Sequence, residues 1–524
     1  MMGGQIQIGS KPQISIYRRR PRQISEDKLL YCKDADCCLV KRRRLLNRCE
    51  RSSLLMIDRI SELPCEILVN VLSLLPLKEA AGTSVLSRRW RHVWESTMKL
   101  NFDSSTYVSR RNDQDFVLNF MHLEEKLKHE HMDSYVNWVN RIVERHRGSK
   151  IKQFRACFFL GLRCSYSIDG WIRFAAEKSV ELLELDLSPG TLFPLDAKNS
   201  VPCYRKDGFS QYQFCVEKQS ALGQQCSHIP NLSSRVPDIR FKSLKVLHLR
   251  NVGVTGEVLE YLLSDCPVLE KLTVSVSKNL VSLRVAGPSI ALKYLRIENC
   301  TNIKRVEISD ANIISFSYFG YGVVELLLSN LPMLVDVSLV KLFHIPDCIN
   351  LAFTQLSSYV SQIQFMTLDI KGVMFEDLTI PTLANLKYLE LIVHPGYNWC
   401  LYQLSSFLKA SPYLTRLVLK FVYWTYLEPE ESKEVIECHH CNLKDVEIVG
   451  YRGITSVIQH VTYLVQIAVA LEKLVIDPTQ LRRLPPNVDR EIEHSRVEKE
   501  ARDHAKQYLI PKLNLSSSAE FVCL

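Results

Sequence analysis

The chain of 524 residues contains no run of eighteen apolar residues. Its most apolar stretch, "YLVQIAVAL" at 463–471, is nine residues long with Gln466 inside it, about half of what a bilayer-spanning helix requires. No membrane partner is expected on that basis. The opening "MMGGQIQIGSKPQISIYRRR" lacks the apolar centre of a secretory signal, and two methionines ahead of Gly3 spoil a myristoylation start. Catalytic signatures are missing as well: there is no G-x-S-x-G elbow, no H-E-x-x-H and no Walker A loop. "GYG" at 320–322 lacks the third glycine and the helix start of a dinucleotide fingerprint. The expectation is a chain that is not an enzyme and holds no cofactor.

Net positive charge is scarce outside one segment. The net charge is +9, and residues 1–56 hold 13 Lys and Arg against 5 Asp and Glu, or +8 of it. The remaining body is close to neutral, so it offers no electrostatic argument for nucleic-acid binding. Residues 1–56 also lack hydrophobic periodicity and read as a disordered basic tail. Its runs "RRRPR" (18–22) and "KRRR" (41–44) are of the kind that serve in nuclear import, with a merely solvated tail as the alternative. The 17 cysteines are odd in number and scattered through apolar runs such as "RACFFL" (155–160), which reads as reduced, buried thiols in the nucleus or cytoplasm. Cys32, Cys37, Cys38 and Cys49 do not follow the paired spacing of a structural zinc site. "ECHHC", ending in Cys438, His439, His440 and Cys441, has soft ligands but no second pair at a useful distance, and reads as a metal-free turn.

What is present begins at residue 57. Hydrophobic residues make up 46% of the chain, ample for a large core. In "LPCEILVNVLSLLPLKEAAGTSVLSRRWRHVW" (63–94), Pro64 suits the first turn of a helix, and Ile67, Leu68, Val71, Leu72 and Leu75 recur with helical spacing. Pro76 stops that helix. A short second helix fits Lys78–Ala81, with Gly82 as a break, and Thr83 or Ser84 can cap a third. There Leu86, Trp90, Val93 and Trp94 share one side, and Arg88, Arg89, Arg91 and His92 the other. Val69 and Leu74 fall off the main stripe. About 40 residues cannot bury this much apolar surface alone, so the unit needs a cover, from this chain or from another protein.

These residues resemble an F-box, the module that docks onto a Skp-type adaptor. The pattern is Leu-Pro, Ile-Leu, Leu-Pro, then "SVLSRRWR" and a final Trp, and "TSVLSRRWRHVW" is typical of plant F-box proteins that carry leucine-rich repeats. The resemblance implies that Leu63, Pro64, Ile67, Leu68, Leu72, Leu75, Pro76, Val85, Leu86 and Trp90 face the adaptor. Cys65 and Gly82 depart from it, standing where an acidic and a larger residue are usual.

Beyond residue 100 a short unit of the form L-x-x-L-x-L recurs twelve times, at 151, 182, 244, 269, 292, 313, 334, 365, 386, 414, 443 and 471. Most steps are 21 to 31 residues, the period of a leucine-rich repeat. The fold expected is α/β: a small three-helix F-box (57–100), then a horseshoe-like solenoid of about twelve repeats (101–486), then a charged helical cap or tail (487–524). Between 269 and 334 the steps are too short for a long helix, and "LVSLRV" (280) and "IKRVEI" (303) predict extended chain on the outer side. The step of 62 residues from 182 to 244 implies an insertion near 190–238, either a disordered loop or a binding loop. Plant F-box/leucine-rich-repeat proteins resemble the chain over roughly 58–480. The resemblance implies a substrate-recognition subunit of a Skp–cullin–F-box ubiquitin ligase, with an adaptor, a cullin and a protein substrate as partners. A repeat scaffold that binds a partner without ubiquitylation is the alternative.

Overall fold

The structure, a computed structural model, describes residues 60, 62–103, 125–188, 211–214, 240–320, 324–341, 353–370, 380–393, 401–422, 439–479, 488–513 and 519–524. The basic tail, most of the 190–238 insertion and Cys438 lie outside the described residues. Leu63–Leu524 forms one compact unit, and Met1–Glu62 is a separate one.

The larger unit is built on a 14-stranded sheet whose strands follow one another in chain order, every neighbouring pair parallel. It runs from Lys99–Asp103 through Gln153–Cys157, Leu182–Asp186, Val246–Arg250, Lys271–Ser275 and Tyr294–Glu298. Ser315–Gly320, Asp336–Lys341, Phe365–Ile370, Tyr388–Val393, Arg416–Phe421, Asp445–Val449, Lys473–Asp477 and Glu520–Cys523 complete it. Within each strand the leucine positions point one way, as the two-residue period of an extended chain requires. Leu247 and Leu249 are buried, while Val246, His248 and Arg250 are half-buried on the other face. A one-residue slip would turn every such set outward, so the core fixes the register. Ion pairs at the strand starts, Glu181–Lys245 at 3.0 Å, Glu270–Lys293 at 2.8 Å and Lys444–Glu472 at 2.7 Å, agree with that register but are solvent-exposed and weak.

The twelve units read from the sequence are the second to the thirteenth of these strands. The sheet extends further at both ends. Lys99–Asp103 buries Leu100 and Phe102 under the helix Glu125–Arg145, whose Met132, Tyr135 and Val139 share one buried face. The Tyr135 hydroxyl donates to the Phe102 carbonyl at 2.6 Å. At the other end Glu520–Cys523 pairs with Lys473–Asp477, so the last residues are a strand of the sheet as well as a helical, charged segment.

The connections follow the step lengths. Helices Ser165–Glu177, Gly256–Asp265, Leu401–Ala410 and Thr455–Ile467 back the longer repeats and bury apolar faces in the same core. Where the steps are short, a three-stranded parallel sheet of Ser282–Ala286, Arg305–Ser309 and Glu325–Ser329 takes their place. Gly256 marks the change: a Cβ there would lie 2.0 Å from the Ser282 carbonyl oxygen, so only glycine lets helix and sheet meet.

Candidate functional site

The F-box region folds as helix Cys65–Leu72, helix Leu77–Gly82 and two 3₁₀ segments, Thr83–Val85 and Trp90–Ser96. The third helix expected from the sequence is therefore not an α-helix. Side chains there take the backbone's acceptors and donors: the Thr83 hydroxyl donates to the Ala80 carbonyl at 2.7 Å, and Ser87 Oγ lies 3.4 Å from the Trp90 nitrogen. Arg88, Arg89, Arg91 and the nearby His92 crowd the same turn.

The two proline-led helices create opposite faces. Leu68 and Leu72, one turn apart, pack with Ala80, Trp90, Val93 and Trp94 in a small core of their own. Of the expected adaptor-facing set, Leu68, Leu72 and Trp90 are buried inside the unit. Its two helices must be tied together before they can present a surface, and these three side chains do the tying. Pro64, Ile67, Leu75, Pro76, Val85 and Leu86 are exposed, and Leu63 is half-buried. Val71 and Leu74 are exposed beside them, Leu74 at 77% and Val85 at 71%. Six large exposed apolar side chains thus fall within residues 67–86, whereas the described residues from 125 onward have twelve spread over about 290 positions. A cluster of that density marks an interaction surface, while scattered single residues do not. A Cβ at Gly82 would meet nothing within 4 Å, so the larger residue expected there by resemblance is not excluded by space.

The unit is joined firmly to the sheet. Leu77 belongs to the main core, and Ile142 of the long helix packs against the F-box cluster. The Met98 amide donates to Ser73 Oγ at 2.9 Å. Buried Glu95 accepts at its backbone carbonyl from the Arg147 amide at 2.8 Å, and its carboxylate lies 3.0 Å from the Arg147 guanidinium. His146 Nε2 lies 3.0 Å from the Thr97 carbonyl oxygen.

On the sheet face opposite the main core, charges pair across strands. Arg155 bridges Asp103 and Glu184. Burial works against its charge, but the hydrogen bond and attraction from Glu184 outweigh this and hold the guanidinium protonated. Burial pushes the His248 imidazole down, with Glu184 opposing. Further along, the Arg416 guanidinium lies 5.9 Å from the centre of the Tyr388 ring and 2.8 Å from Glu447. Burial lifts the thiols of Cys157, Cys266 and Cys300 to about 12, which makes them packing groups and poor nucleophiles.

The described ligand types at 439–441 diverge. His440 turns inward, its Nε2 2.8 Å from the Ser411 carbonyl oxygen, while His439 and Cys441 are exposed. Among the described residues no three His, Cys, Asp or Glu side chains converge as a metal site.

Comparison with known proteins agrees with this layout. The F-box domain family model matches residues 60–101, and the family model for the At1g61320/AtMIF1 LRR domain matches residues 142–507. The chain belongs to the F-box/leucine-rich-repeat family. It is 31% identical over 234 residues to the F-box/LRR-repeat protein At3g03360 of Arabidopsis thaliana, covering 43% of this chain and only 39% of that relative. It is 25% identical over 440 residues to the putative F-box protein At3g58860 of the same plant, covering 80% of this chain and 88% of the relative. A third, the putative FBD-associated F-box protein At5g22720, is 25% identical over 473 residues, covering 83% and 91%.

In this F-box/leucine-rich-repeat protein, sequence reasoning missed the junction residues Glu95, Thr97 and His146. They act across 49 residues between Thr97 and His146, and no local period reports such a contact. Leu74 did carry a signal, because an apolar residue off the helical stripe has nowhere to go but outward.

Proposed function

We propose that this protein is the substrate-recognition subunit of a Skp–cullin–F-box ubiquitin ligase, acting in the nucleus or cytoplasm. The observation that carries the reading is the exposed apolar face of Ile67, Val71, Leu74, Leu75, Val85 and Leu86 on a unit matched by the F-box family model. Leu63, Pro64, Ile67, Leu75, Pro76, Val85 and Leu86 are the proposed contacts with a Skp-type adaptor, and through it the cullin. Leu68, Leu72 and Trp90 support that surface from within. A protein substrate binds the repeats, and the contribution to catalysis is proximity: holding both partners raises the local concentration of substrate lysines near the transfer centre. The hydrogen-bonded junction suits this, since a stiff link preserves the distance between the two bound partners.

The test is co-purification of the full chain from plant cells. The native protein is expected to bring down adaptor and cullin, and a Val85→Asp/Leu86→Asp variant to lose both. Recovery of neither by the native protein would overturn the reading. Adaptor recovery without any ubiquitylated client would point to the scaffold instead.

A further inference from the structure

Among the described residues, the long insertion is fastened at one point. Residues Gln211–Phe214 lie on the solenoid, 23 residues after Ser188 and 26 before Arg240 at their nearest ends. Tyr212 and Gln213 pair in parallel with Val252 and Gly253, and the Phe214 amide donates to the Gly253 carbonyl at 2.8 Å. Tyr212 and Phe214 are buried in the main core, and the Tyr212 hydroxyl donates to Asp169.

Gln211 does something more specific. Immediately after three successive strands the chain takes a left-handed residue, Asn251, Val276 and Asn299. Each sends its amide to the next strand: to Ser275 at 2.9 Å, to Glu298 at 2.8 Å and to Phe319 at 2.6 Å. Asparagine tolerates this conformation, and a β-branched valine is an outlier there. Asn251 also uses its side chain, whose Nδ2 donates to the Leu187 carbonyl at 2.7 Å. Val276 has no side-chain amide to offer. In that layer the buried Gln211 brings a side-chain amide from the insertion, with contacts of its own: Nε2 donates to the Val276 carbonyl at 2.6 Å and to Asn251 Oδ1 at 3.1 Å, and Oε1 accepts from the Lys278 amide at 3.1 Å.

We propose that Gln211–Phe214 is a strap, in which Gln211 supplies from the insertion the side-chain amide that Val276 lacks. The strap locks the solenoid layer around Val276 and pins the insertion to the rim of the repeats. This stands apart from ubiquitin ligation and needs no partner.

The experiment is hydrogen exchange read by mass spectrometry on the full chain. Gln211→Met keeps the bulk and removes the hydrogen bonds, while Tyr212 and Phe214 still hold the segment. Exchange across 251–279 is expected to rise about tenfold, with the strands from residue 365 onward unchanged. Val276→Asn restores an amide in the layer and suits the left-handed backbone, so Gln211→Met/Val276→Asn is expected to return exchange there to within about threefold of the native rate. Unchanged exchange in Gln211→Met, an equal rise in all strands, or no rescue by Val276→Asn would each overturn the proposal.

Discussion

The imidazole of His146 lies against the carbonyl oxygen of Thr97, with Nε2 3.0 Å away, and so ties the end of the helix Glu125–Arg145 to the residue where the F-box enters the sheet. As a neutral ring it donates from Nε2. Burial pushes its pKa down, the hydrogen bond to Thr97 works the other way, and Lys178 lowers it further. A depressed value in the fold means that the unfolded chain takes up the proton first as pH falls. The stability from this group is therefore present above the unfolded value of about 6.5 and lost as pH drops through the folded value. His131 and His248 are depressed as well and add in the same direction. Melting temperatures recorded from about pH 8 down to about pH 5 are expected to fall, and His146→Gln is expected to flatten that slope. A variant slope equal to the native one would remove His146 from the account.

The two faces of the F-box separate stability from binding. Leu68→Ala or Leu72→Ala empties a site in the small core and is expected to cost about 2–5 kcal/mol. Val85→Asp and Leu86→Asp lie in solvent and are expected to stay within about ±0.5 kcal/mol each. Denaturant melts of the full chain, followed through Trp90 and Trp94 fluorescence, make the comparison. Equal costs at buried and exposed positions would contradict the assignment of faces.

The alternation in the repeats predicts a second contrast. Leu247→Ala removes a fully buried side chain and is expected to cost about 2–5 kcal/mol, whereas His248→Ala, half-buried on the opposite face, is expected to stay within about ±0.5 kcal/mol near neutral pH. If the repeats hold the substrate, changes on the His248 face will reduce substrate capture while adaptor binding stays intact.

Glu520–Cys523 covers an edge that would otherwise be open. Deleting residues 519–524 leaves Lys473–Asp477 with unpaired backbone groups along one side. It also removes Phe521, which packs on the core, and the bond from Arg502 Nε to the Leu524 carbonyl at 2.6 Å. A lower melting temperature and rising light scatter at equal concentration are the expected result; a deletion that melts like the native chain would show the strand to be dispensable.

The twelve internal strands were legible because each buries its leucine row between two neighbours and so needs the full L-x-x-L-x-L pattern. The end strands were not. Lys99–Asp103 offers only Leu100 and Phe102, and Glu520–Cys523 is the last strand of the row, so neither shows the repeated signature. The extended outer segments at 280 and 303 were readable from the short steps together with their own apolar alternation. The F-box was legible as a motif, yet the motif mixes residues that hold the unit together with residues that show outward. Leu68 and Ile67 are adjacent and equally apolar, and only the fold puts the first inside and the second in water. The strap at Gln211 gave no signal, since four residues in a long polar insertion have no period.

The central claim is that the exposed F-box face binds a Skp-type adaptor directly, and titration calorimetry of the purified full chain with a purified plant Skp-type adaptor tests it most directly. The account predicts a single binding event for the native chain. It predicts that Ile67→Ala or Leu86→Ala weakens binding by about fivefold to thirtyfold, equivalent to about 1–2 kcal/mol, with the melting temperature unchanged. No heat of binding with the native chain, or equal affinity in a Val85→Asp/Leu86→Asp variant that remains folded, would contradict it.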